Sequence, residues 1–514
     1  MSRRQCNFSF PCLLYFSKYT LHSHLHVKKS LFFLLQSSLN VSMSSSLPPS
    51  ATTRHLLVFP YPAQGHMLPL LDLTNHLASH GGFTITILVT PKTLPLLHPL
   101  LQTHPSIQTL VLPFPSHPKL PVGVEHVSHI GNHGNFAIVA ALRQLHDPIV
   151  DWFNSHPSPP VAIISDFFLG WTQRLADHLQ IPRVAFYAVS SLLIHVMNSC
   201  WVHIKTDHFS SSPVIEFSEI PKSPSFKKEQ LPSLVKQYQD SDPDWNLLRD
   251  DVLANTSSWA CVVDTFENLD LEYLDHLRKL WGEGRVFGVG PVHLIGATKD
   301  GRNPIRESSS EILTWLDKCP DDSVVYVCFG SQKQLSRQQL EALASALEKS
   351  GTRFVWVVKT IHQTDGRSNG IPVGFEDRVS DRGIVVKGWV PQTAILHHRA
   401  VGGFLSHCGW NSVVESIANG VMVLGWPMEA DQFINARLLV EDLGVAVRVC
   451  EGANSVPESE ELGKIIAESL SRDSSEKMKA KALKRKAVEA VRPNGSSWKD
   501  MQAFIDKLIQ LPQN

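Results

Sequence analysis

The stretch that decides the fold is residues 401–432, VGGFLSHCGWNSVVESIANGVMVLGWPMEADQ. An apolar run, a turn of small and polar residues, a helix-like segment and a second apolar run follow one another. This order is typical of a strand–helix–strand unit with parallel strands. Parallel α/β sheets bind ligands beyond the carboxyl ends of their strands. Polar side chains stand at both of these positions, namely His407, Asn411, Ser412, Asp431 and Gln432.

The same alternation of strands and helices runs outward through the chain in two sets. The first set is predicted within residues 53–290 and the second within residues 311–480. Between them, residues 291–310 are predicted to form a linker, because they are rich in Gly, Ser and charged residues. Strands that alternate with helices imply mostly parallel sheets covered on both faces. The sequence therefore predicts an α/β fold with two Rossmann-like domains, whose parallel sheets face each other across a cleft.

The bulk composition is that of an ordinary soluble globular protein. The chain has 514 residues, of which 43% are hydrophobic and 18% charged, so two domains are the natural expectation. A net charge of −1 provides no basic surface for nucleic acid. The eight cysteines contain no CxxC pair, which argues against a zinc site or a disulfide scaffold. No apolar run reaches the roughly 18 residues of a membrane-spanning helix.

The N-terminal extension, residues 1–52, has a different composition and is predicted to lie outside the fold. No acidic residue occurs from Met1 to Arg54, while serines and basic residues are frequent, a composition typical of a transit peptide. The alternative is that translation begins at Met43. We expect a cytoplasmic protein, with plastid targeting as the alternative if the extension is real.

The turn after the first apolar run predicts a diphosphate site. Gly409 permits close backbone approach, and a helix is expected to begin at 411–412. Helix N-termini present free N–H groups that bind anions, and His407 adds a side-chain donor. The alternative is a plain capping box, in which Ser412 caps the helix and Glu415 bonds back to its start.

Two further features flank this turn. Upstream, Trp389 follows the apolar run GIVVKG, where it could stack on a base or simply pack in the core. Downstream, Asp431 and Gln432 follow the second apolar run, where they could bind sugar hydroxyls or begin a solvated helix.

Together, residues 389–432 resemble the signature box of plant secondary-product glycosyltransferases, a UDP-sugar-dependent family with the GT-B fold. That box runs 44 residues from a Trp to a Gln, as does this segment. The matching residues are Trp389, Gln392, HCGWNS at 407–412, Glu415, Pro427, Asp431 and Gln432. The resemblance extends from about His55 onward. It also implies that the C-terminal helix, within residues 481–514, packs back onto the N-terminal domain.

The resemblance implies a role for each residue of the donor site. These roles are uracil stacking and pairing for Trp389 and Val390, ribose binding for Gln392 and Glu415, diphosphate binding for Ser331, His407, Asn411 and Ser412, and sugar binding for Trp410, Asp431 and Gln432. A closing Gln favours UDP-glucose as the donor. UDP-xylose, UDP-rhamnose and UDP-galactose stay open as alternatives.

A general base is expected in the first half of the chain. His66, in the loop after the first apolar run, can accept a proton from a hydroxyl because imidazole titrates near neutral pH. Asp166, at the end of a later apolar run, can hold the ring and stabilise the imidazolium. Structural roles, a helix start for His66 and a helix cap for Asp166, are the alternatives. The family's His–Asp dyad falls in these two motifs, so the resemblance implies catalysis.

The reaction so implied is an inverting O-glycosyl transfer that forms a β-glycoside without a metal ion or other cofactor. The acceptor is expected to be a small phenolic such as a flavonoid or a hydroxybenzoate, and the protein a monomer. A non-catalytic UDP-sugar-binding protein and a nicotinamide-dependent oxidoreductase are the alternatives. The second should carry GxGxxG after its first strand, where this chain has PYPAQGH.

The sequence contains little information about which residues form the acceptor pocket. Six residues are candidates for its wall, namely Phe136, Phe167, Phe168, Tyr187, Ser190 and Trp201. A nearby group of histidines, His126, His129 and His133, suggests a metal cluster, but its spacing is interrupted and an exposed or pocket-edge loop is the preferred interpretation.

Overall fold

The computed structural model describes residues 53–295, 307–359, 371–471 and 474–513. The predictions for residues 1–52, and for the linker between 296 and 306, lie outside the described residues. The predicted domain limits stay predictions.

The described chain alternates strands with helices, as the sequence predicts. The strands are β1 (Arg54–Phe59), β2 (Phe83–Val89), β3 (Gln108–Val111), β4 (Ala162–Asp166), β5 (Arg183–Tyr187), β6 (Val214–Glu216), β7 (Ser225–Lys227), β8 (Ala260–Val263), β9 (Val286–Gly288), β10 (Val324–Cys328), β11 (Arg353–Val358), β12 (Gly383–Lys387), β13 (Val401–Ser406), β14 (Met422–Gly425) and β15 (Ala446–Arg448).

The helices lie between and around these strands. They are α1 (Gln64–His80), α2 (His98–Thr103), α3 (Asn135–Leu142), α4 (His146–Ser155), α5 (Thr172–Leu179), α6 (Ser191–His203), α7 (Asp207–Ser211), α8 (Ser233–Gln237), α9 (Pro243–Ala254), α10 (Glu267–Trp281), α11 (Glu307–Asp317), α12 (Arg337–Ser350), α13 (Phe375–Arg378), α14 (Gln392–His397), α15 (Trp410–Asn419), α16 (Gln432–Arg437), α17 (Ser459–Ser469), α18 (Ser475–Val491) and α19 (Ser496–Ile509). Of the helices in the described ranges, none is both long and apolar enough to cross a membrane.

Two parallel sheets organise the molecule, which confirms the predicted α/β fold. The first half of the chain forms a seven-stranded sheet in the order β3-β2-β1-β4-β5-β8-β9. The second half forms a six-stranded sheet in the order β12-β11-β10-β13-β14-β15. Their pairings are parallel throughout. Strands β6 and β7 form a separate antiparallel hairpin, which the sequence analysis did not predict.

Strand β1 shows why these apolar runs become buried strands. Its alternate residues point to opposite faces of the sheet, and both faces are covered. Leu57 and Phe59 join one buried cluster, whereas Leu56 and Val58 join another. Phe504 of α19 packs into this second cluster, so the last helix covers one face of the first sheet.

Each sheet reverses its strand order once, and the two reversals position the candidate site. The first sheet reverses between β1 and β4, and the second between β10 and β13. At such a switch point the following loops diverge and open a crevice. His66 follows β1, and β4 ends at Asp166; Ser331 follows β10, and His407 follows β13.

Candidate active site

A cavity of about 1190 Å³ lies beyond the carboxyl ends of both sheets. His66 lines it from the first half of the chain, and every predicted donor residue lines it from the second half. Sites for one small molecule typically measure about 300–1,000 Å³. The cavity therefore has room for a donor and an acceptor together.

His66, in one wall of the cavity, forms a hydrogen-bonded pair with Asp166 behind it. His66 lies in the first turn of α1, and its Nδ1 is 2.9 Å from Oδ2 of Asp166. The imidazole is 19% exposed, whereas the carboxylate is fully buried. The other carboxylate oxygen accepts the N–H of Phe168 at 2.8 Å. Because Asp166 engages Nδ1, Nε2 is the ring nitrogen available to receive a proton from a substrate.

Aromatic rings fix the plane of the His66 imidazole. Phe167 stacks on it with centroids 5.4 Å apart and an interplanar angle of 18°, and Tyr61 meets it edge-on at 5.3 Å. The Tyr61 hydroxyl donates to Oδ1 of Asn135 at 2.7 Å. Burial raises the pKa of Tyr61 well above its usual value, and the nearby Asp166 carboxylate adds to that rise. The imidazole is therefore oriented before any substrate arrives.

His407 occupies a turn between two glycines. A Cβ added at Gly330 or at Gly409 would approach Nε2 of His407 to 2.6 Å, so a larger residue at either position would collide with the ring. Gly330 also has a φ of 75°, which disfavours other residues. Burial lowers the pKa of His407 to about 4, so the ring is neutral at pH 7.

Asn411 and Ser331 complete this corner of the cavity. Asn411 is the second residue of α15, and its Nδ2 lies 4.0 Å from the Cβ that a side chain at Gly65 would have. The beginnings of α1 and α15 therefore approach each other closely across the cleft. Ser331 follows the Gly330 turn and lines the same cavity.

The capping-box alternative is wrong. Helix α15 is capped by Gly409 without a side-chain hydrogen bond, and Ser412 lies inside the helix rather than at its cap. Nε2 of Gln392 instead donates to Oγ of Ser412 at 3.1 Å and to Oε2 of Glu415 at 2.9 Å. Burial raises the pKa of Glu415 to about 7, and the hydrogen bond from Gln392 opposes that rise. The two residues expected to hold ribose therefore share one network.

Asp431 and Gln432 lie at the start of α16, past the end of β14. Asp431 accepts a hydrogen bond from Nδ2 of Asn435 at 2.5 Å. Burial raises the pKa of Asp431, and this hydrogen bond is the largest of the effects that oppose the rise. Oε1 of Gln432 accepts the N–H groups of residues 428 and 429 at 2.9 and 3.0 Å.

The Trp410 side chain joins the two halves of the chain. Its indole is buried and donates from Nε1 to the backbone carbonyl of Asp264 at 2.9 Å. The indole N–H is therefore already engaged within the protein, and the predicted contact of Trp410 with the sugar stays a prediction.

Trp389 is exposed at the cavity wall, after the end of β12. It is 56% exposed, whereas Trp356 in the neighbouring strand is 1% exposed. Val390 behind it is buried. An exposed indole face at a cavity suits stacking on a flat ring, and core packing does not describe it.

The predicted acceptor wall is partly wrong. Phe167 and Phe168 line the cavity as expected. Phe136 instead stacks on Trp245 at 4.1 Å within the core, because its helix α3 is buried on all sides. The other three candidates, Tyr187, Ser190 and Trp201, are also buried and do not line this cavity.

Several residues that the sequence analysis missed line the cavity on the side of the first half of the chain, which we call the acceptor end. Leu193 and Met197 of α6, Ser233 of α8 and Asn132 come from separate segments of the first half. Nδ2 of Asn132 donates to Oε1 of Glu429 in the second half at 2.7 Å. No local motif marks these residues, since packing alone brings them together.

Two carboxylates in the cavity wall, one half-buried and one buried, also escaped the sequence analysis. Asp72 of α1 and Asp264 after β8 line the cavity beside Glu415. Burial raises the pKa of Asp72 to about 7, and repulsion from Asp264 and Glu415 adds to the rise. Burial likewise raises the pKa of Asp264 to about 6. The available signal was an acidic residue within the apolar stretch LPLLDL.

The histidine loop is engaged in local contacts. Nδ1 of His126 lies 2.8 Å from Oγ of Ser128, and the rings of His126 and His129 are 6.0 Å apart. Among the described residues, no group of three His, Cys, Asp or Glu side chains is arranged to hold a metal ion.

Comparison with known proteins places this site in a described family. Residues 292–477 match the sequence profile of the family "UDP-glucoronosyl and UDP-glucosyl transferase". The chain is 50% identical over 455 residues to UDP-glycosyltransferase 89A2 of Arabidopsis thaliana, a match that covers 88% of this chain and 95% of that protein. It is 45% identical to flavonol 3-O-glucosyltransferase UGT89B1 of the same plant, over 90% of this chain and 98% of that protein.

A solved structure shares the fold. The crystal structure of Arabidopsis thaliana UGT89C1 complexed with UDP-L-rhamnose superposes with a TM-score of 0.73 at 36% identity. The match covers 89% of this chain and all of that one. The same protein has also been crystallised with quercetin. The GT-B fold implied by the sequence is thereby confirmed.

Proposed function

This chain belongs to the family of plant UDP-glycosyltransferases, and from that premise we propose that it is a hexosyltransferase for small phenols. The proposed reaction moves glucose from UDP-glucose to a hydroxyl of the acceptor and forms a β-glycoside. One observation carries this proposal. His66, hydrogen-bonded to the buried Asp166, lines the same cavity that the donor residues line from the second half.

The proposed chemical step is a single displacement with inversion. Nε2 of neutral His66 takes the proton from the acceptor hydroxyl, and the oxygen attacks the anomeric carbon from the face opposite UDP. The bond between that carbon and the UDP oxygen breaks as the new bond forms, and UDP leaves with the electron pair. Asp166 keeps the ring in the required tautomer and stabilises the imidazolium.

The leaving group is proposed to be stabilised without a divalent cation. Ser331, Asn411, Ser412 and the start of α15 supply hydrogen-bond donors beside His407, and such preorganised donors stabilise developing charge. Transfer should therefore proceed unchanged in excess chelator. Activity that disappears with chelator and returns with magnesium would contradict this part of the proposal.

The proposed acceptor class draws on relatives and on the local surface. One relative is named a flavonol 3-O-glucosyltransferase, and a solved neighbour was crystallised with quercetin. Phe167 and Phe168 place aromatic faces beside His66, which suits a flat phenolic ring such as a flavonoid or a hydroxybenzoate. Gln432, the last residue of the signature box, favours glucose as the transferred sugar. UDP-rhamnose is the alternative donor, because the neighbour at 36% identity binds it.

A donor-by-acceptor screen tests the proposal. UDP-glucose, UDP-xylose, UDP-galactose and UDP-rhamnose are each offered with a panel of phenols, and glycoside formation is measured by mass spectrometry. We expect UDP-glucose to give the highest kcat/KM, and the product to be the β-anomer by NMR. Absence of transfer from every donor, or an α-linked product, would overturn the proposed reaction.

His66→Ala tests the assigned base. This variant should bind UDP with unchanged affinity while kcat falls about 10²- to 10⁴-fold, the range for loss of a general base. His146→Ala is the matched control, because His146 also pairs with an aspartate but does not line the cavity. Wild-type turnover by His66→Ala would reject the assignment.

Cytoplasmic location is the remaining part of the proposal. Fluorescent fusions that begin at Met1 and at Met43 are compared in plant cells. We expect both in the cytoplasm, whereas plastid import of the longer fusion would favour the transit-peptide alternative.

A further inference from the structure

Asn435 lies three residues beyond the end of the signature box and is fully buried in α16. Its Nδ2 donates to Oδ2 of Asp431 at 2.5 Å and to the backbone carbonyl of Cys408 at 3.0 Å. Its Oδ1 accepts from Oγ of Ser190 at 3.3 Å. Both polar atoms of this amide are therefore engaged, and the three partners come from three different segments of the site.

We propose that Asn435 is a positioning residue for sugar transfer, which orients the Asp431 carboxylate and holds the backbone turn at Cys408. This inference rests on the proposed function, in which Asp431 binds sugar hydroxyls and the turn binds diphosphate. Asn435 itself lines neither part of the cavity. It acts through the residues that do.

Asp431 depends on this amide for its orientation. The carboxylate is half-buried at the cavity wall, where it can present its oxygens to a sugar only if its own hydrogen bonds fix the rotamer. The Asn435 amide supplies such a hydrogen bond. Without the amide, the carboxylate loses this bond and is freer to rotate.

The Cys408 turn depends on the same amide. Cys408 has a φ of 65°, in the left-handed region that residues other than glycine disfavour. Its N–H donates to Oγ of Ser406 at 3.1 Å, and its carbonyl accepts from Asn435. Hydrogen bonds to both groups hold this unfavourable conformation, which presents His407 to the cavity. One side chain thus links the Cys408 turn, where diphosphate is proposed to bind, to Asp431, where the sugar is proposed to bind.

Ser190 extends the network into the first half of the chain. It caps α6, where its Oγ accepts the N–H of Leu193 at 3.1 Å, and its hydroxyl donates to Asn435. Ser190 was expected to shape the acceptor pocket, but it contacts the donor half instead. A residue from the first half of the chain therefore completes the hydrogen-bond network that holds Asp431.

The test separates binding of the sugar from binding of the nucleotide. Calorimetry without acceptor gives Kd for UDP and for UDP-glucose in the wild type, Asn435→Ala, Asp431→Asn and the double variant. We expect Asn435→Ala to raise the ratio of the UDP-glucose Kd to the UDP Kd about tenfold, with a comparable fall in kcat. Looser packing of the Cys408 turn should raise both Kd values together, by about threefold, and so leave the ratio untouched.

The double variant decides whether Asn435 acts through Asp431. If it does, the Kd ratio of the double variant equals that of Asp431→Asn alone, because the partner is already lost. If the Kd ratio of the double variant instead rises by the product of the two single effects, the proposal is overturned. A Kd ratio in Asn435→Ala that lies within twofold of the wild-type ratio would also overturn it.

Asn255→Asp is the matched control for a purely structural effect. Asn255 is also fully buried, donates to the carbonyl of Phe167 and accepts from Arg183, away from the donor corner. Its substitution should lower Tm without changing the Kd ratio. If Asn435→Ala does not fold, Asn435→Leu, which has a similar shape but no hydrogen-bond donor, is measured with the same expected ratio. Failure of wild type to transfer glucose would reject the proposed function alone, since the Kd ratio needs no acceptor.

Discussion

The two walls of the cleft are assembled in different ways. The donor wall consists of residues 389–432 with Ser331, so nearly all of it comes from one continuous segment with two strand ends and three helix starts. The acceptor wall consists of His66, supported by Asp166 behind it, and the residues of the acceptor end. His66 and Asp166 alone are 100 positions apart in sequence. Local chain geometry builds the first wall, and tertiary packing builds the second.

The walls also differ in how their ionisable groups are arranged. On the acceptor wall, His66 is paired with a buried carboxylate at hydrogen-bond distance. On the donor wall, His407 is half-buried with its pKa lowered to about 4, and Glu415 has its pKa raised to about 7. The His66–Asp166 pair is therefore arranged to exchange a proton, whereas the donor wall presents a neutral imidazole where the diphosphate is expected. Substitutions on the two walls should separate turnover from nucleotide affinity.

Asp166→Asn should have the largest effect and should spare the donor wall. An asparagine at this buried position retains the shape but favours the wrong tautomer of His66. We expect kcat to fall about 10²- to 10⁴-fold, the range that general-base catalysis contributes, while Kd for UDP stays within twofold. Steady-state kinetics and calorimetry measure the two quantities. A large loss of UDP affinity would show that the two walls are coupled rather than separate.

Trp389→Ala should have the opposite signature. Stacking of a base on an aromatic ring contributes about 1–3 kcal/mol, so UDP affinity should fall about 5- to 150-fold while kcat at saturating donor changes little. Trp356→Phe, in the buried neighbouring strand, is the control for a general change in packing. Calorimetric Kd values together with kcat provide the check. An unchanged Kd for Trp389→Ala would remove uracil stacking from the donor wall.

Gly330→Ala should weaken UDP binding about tenfold, because the added Cβ would approach Nε2 of His407 to 2.6 Å. Gly351→Ala is a matched control, since it has a φ of 64° but nothing within 4 Å of the added Cβ. Both variants should lose about 1 kcal/mol of stability from the backbone conformation alone. Urea unfolding and calorimetry distinguish the two effects. Equal UDP affinity in the two variants would mean that the His407 ring is not needed where it lies.

Asp72→Asn should have the smallest effect, on stability rather than on turnover. The folded pKa of Asp72 is about 7, above its value in the unfolded chain, so its contribution to stability is present at low pH and is lost as the pH rises through 7. Asparagine cannot ionise, so the stability of the variant relative to wild type should rise from about pH 4 to about pH 7 and stay level above that, with a gain on the order of 1 kcal/mol or more between pH 5 and pH 8. Urea unfolding at both pH values measures this. Asp381→Asn, at an exposed position, should show no such difference, and a loss of stability at pH 8 in Asp72→Asn would contradict the expectation.

The sequence predicted the donor wall well because its residues are close together along the chain. A strand that ends just before a helix begins places His407 and Ser412 close together at the same edge of the sheet. The number of residues between Trp389 and His407 leaves room for one strand, whose end brings the two residues to that edge. The roles of these residues stay predictions, but their convergence on one cavity follows from local geometry. The capping-box alternative failed because the helix begins two residues earlier than the residue that was expected to cap it.

The acceptor wall was predicted poorly, for a related reason. Phe136 and Trp201 are aromatic residues in apolar stretches, and the pattern alone does not tell a core ring from a pocket ring. Their burial is decided by helices that come from elsewhere in the chain, such as α9, which brings Trp245 against Phe136. Asn132 and Ser233 carry no signal at all until the two halves meet.

By itself the amino-acid sequence determined the alternation of strands and helices, the family and the set of residues at the strand ends, because these depend on periodicity and short-range spacing. Only the tertiary structure decided that Asp166 reaches His66, that Ser190 joins Asn435 rather than the acceptor, and that Asp72 and Asp264 line the cavity beside Glu415. Each of these contacts joins segments far apart in sequence, and its formation depends on how buried faces pack, which no local pattern records.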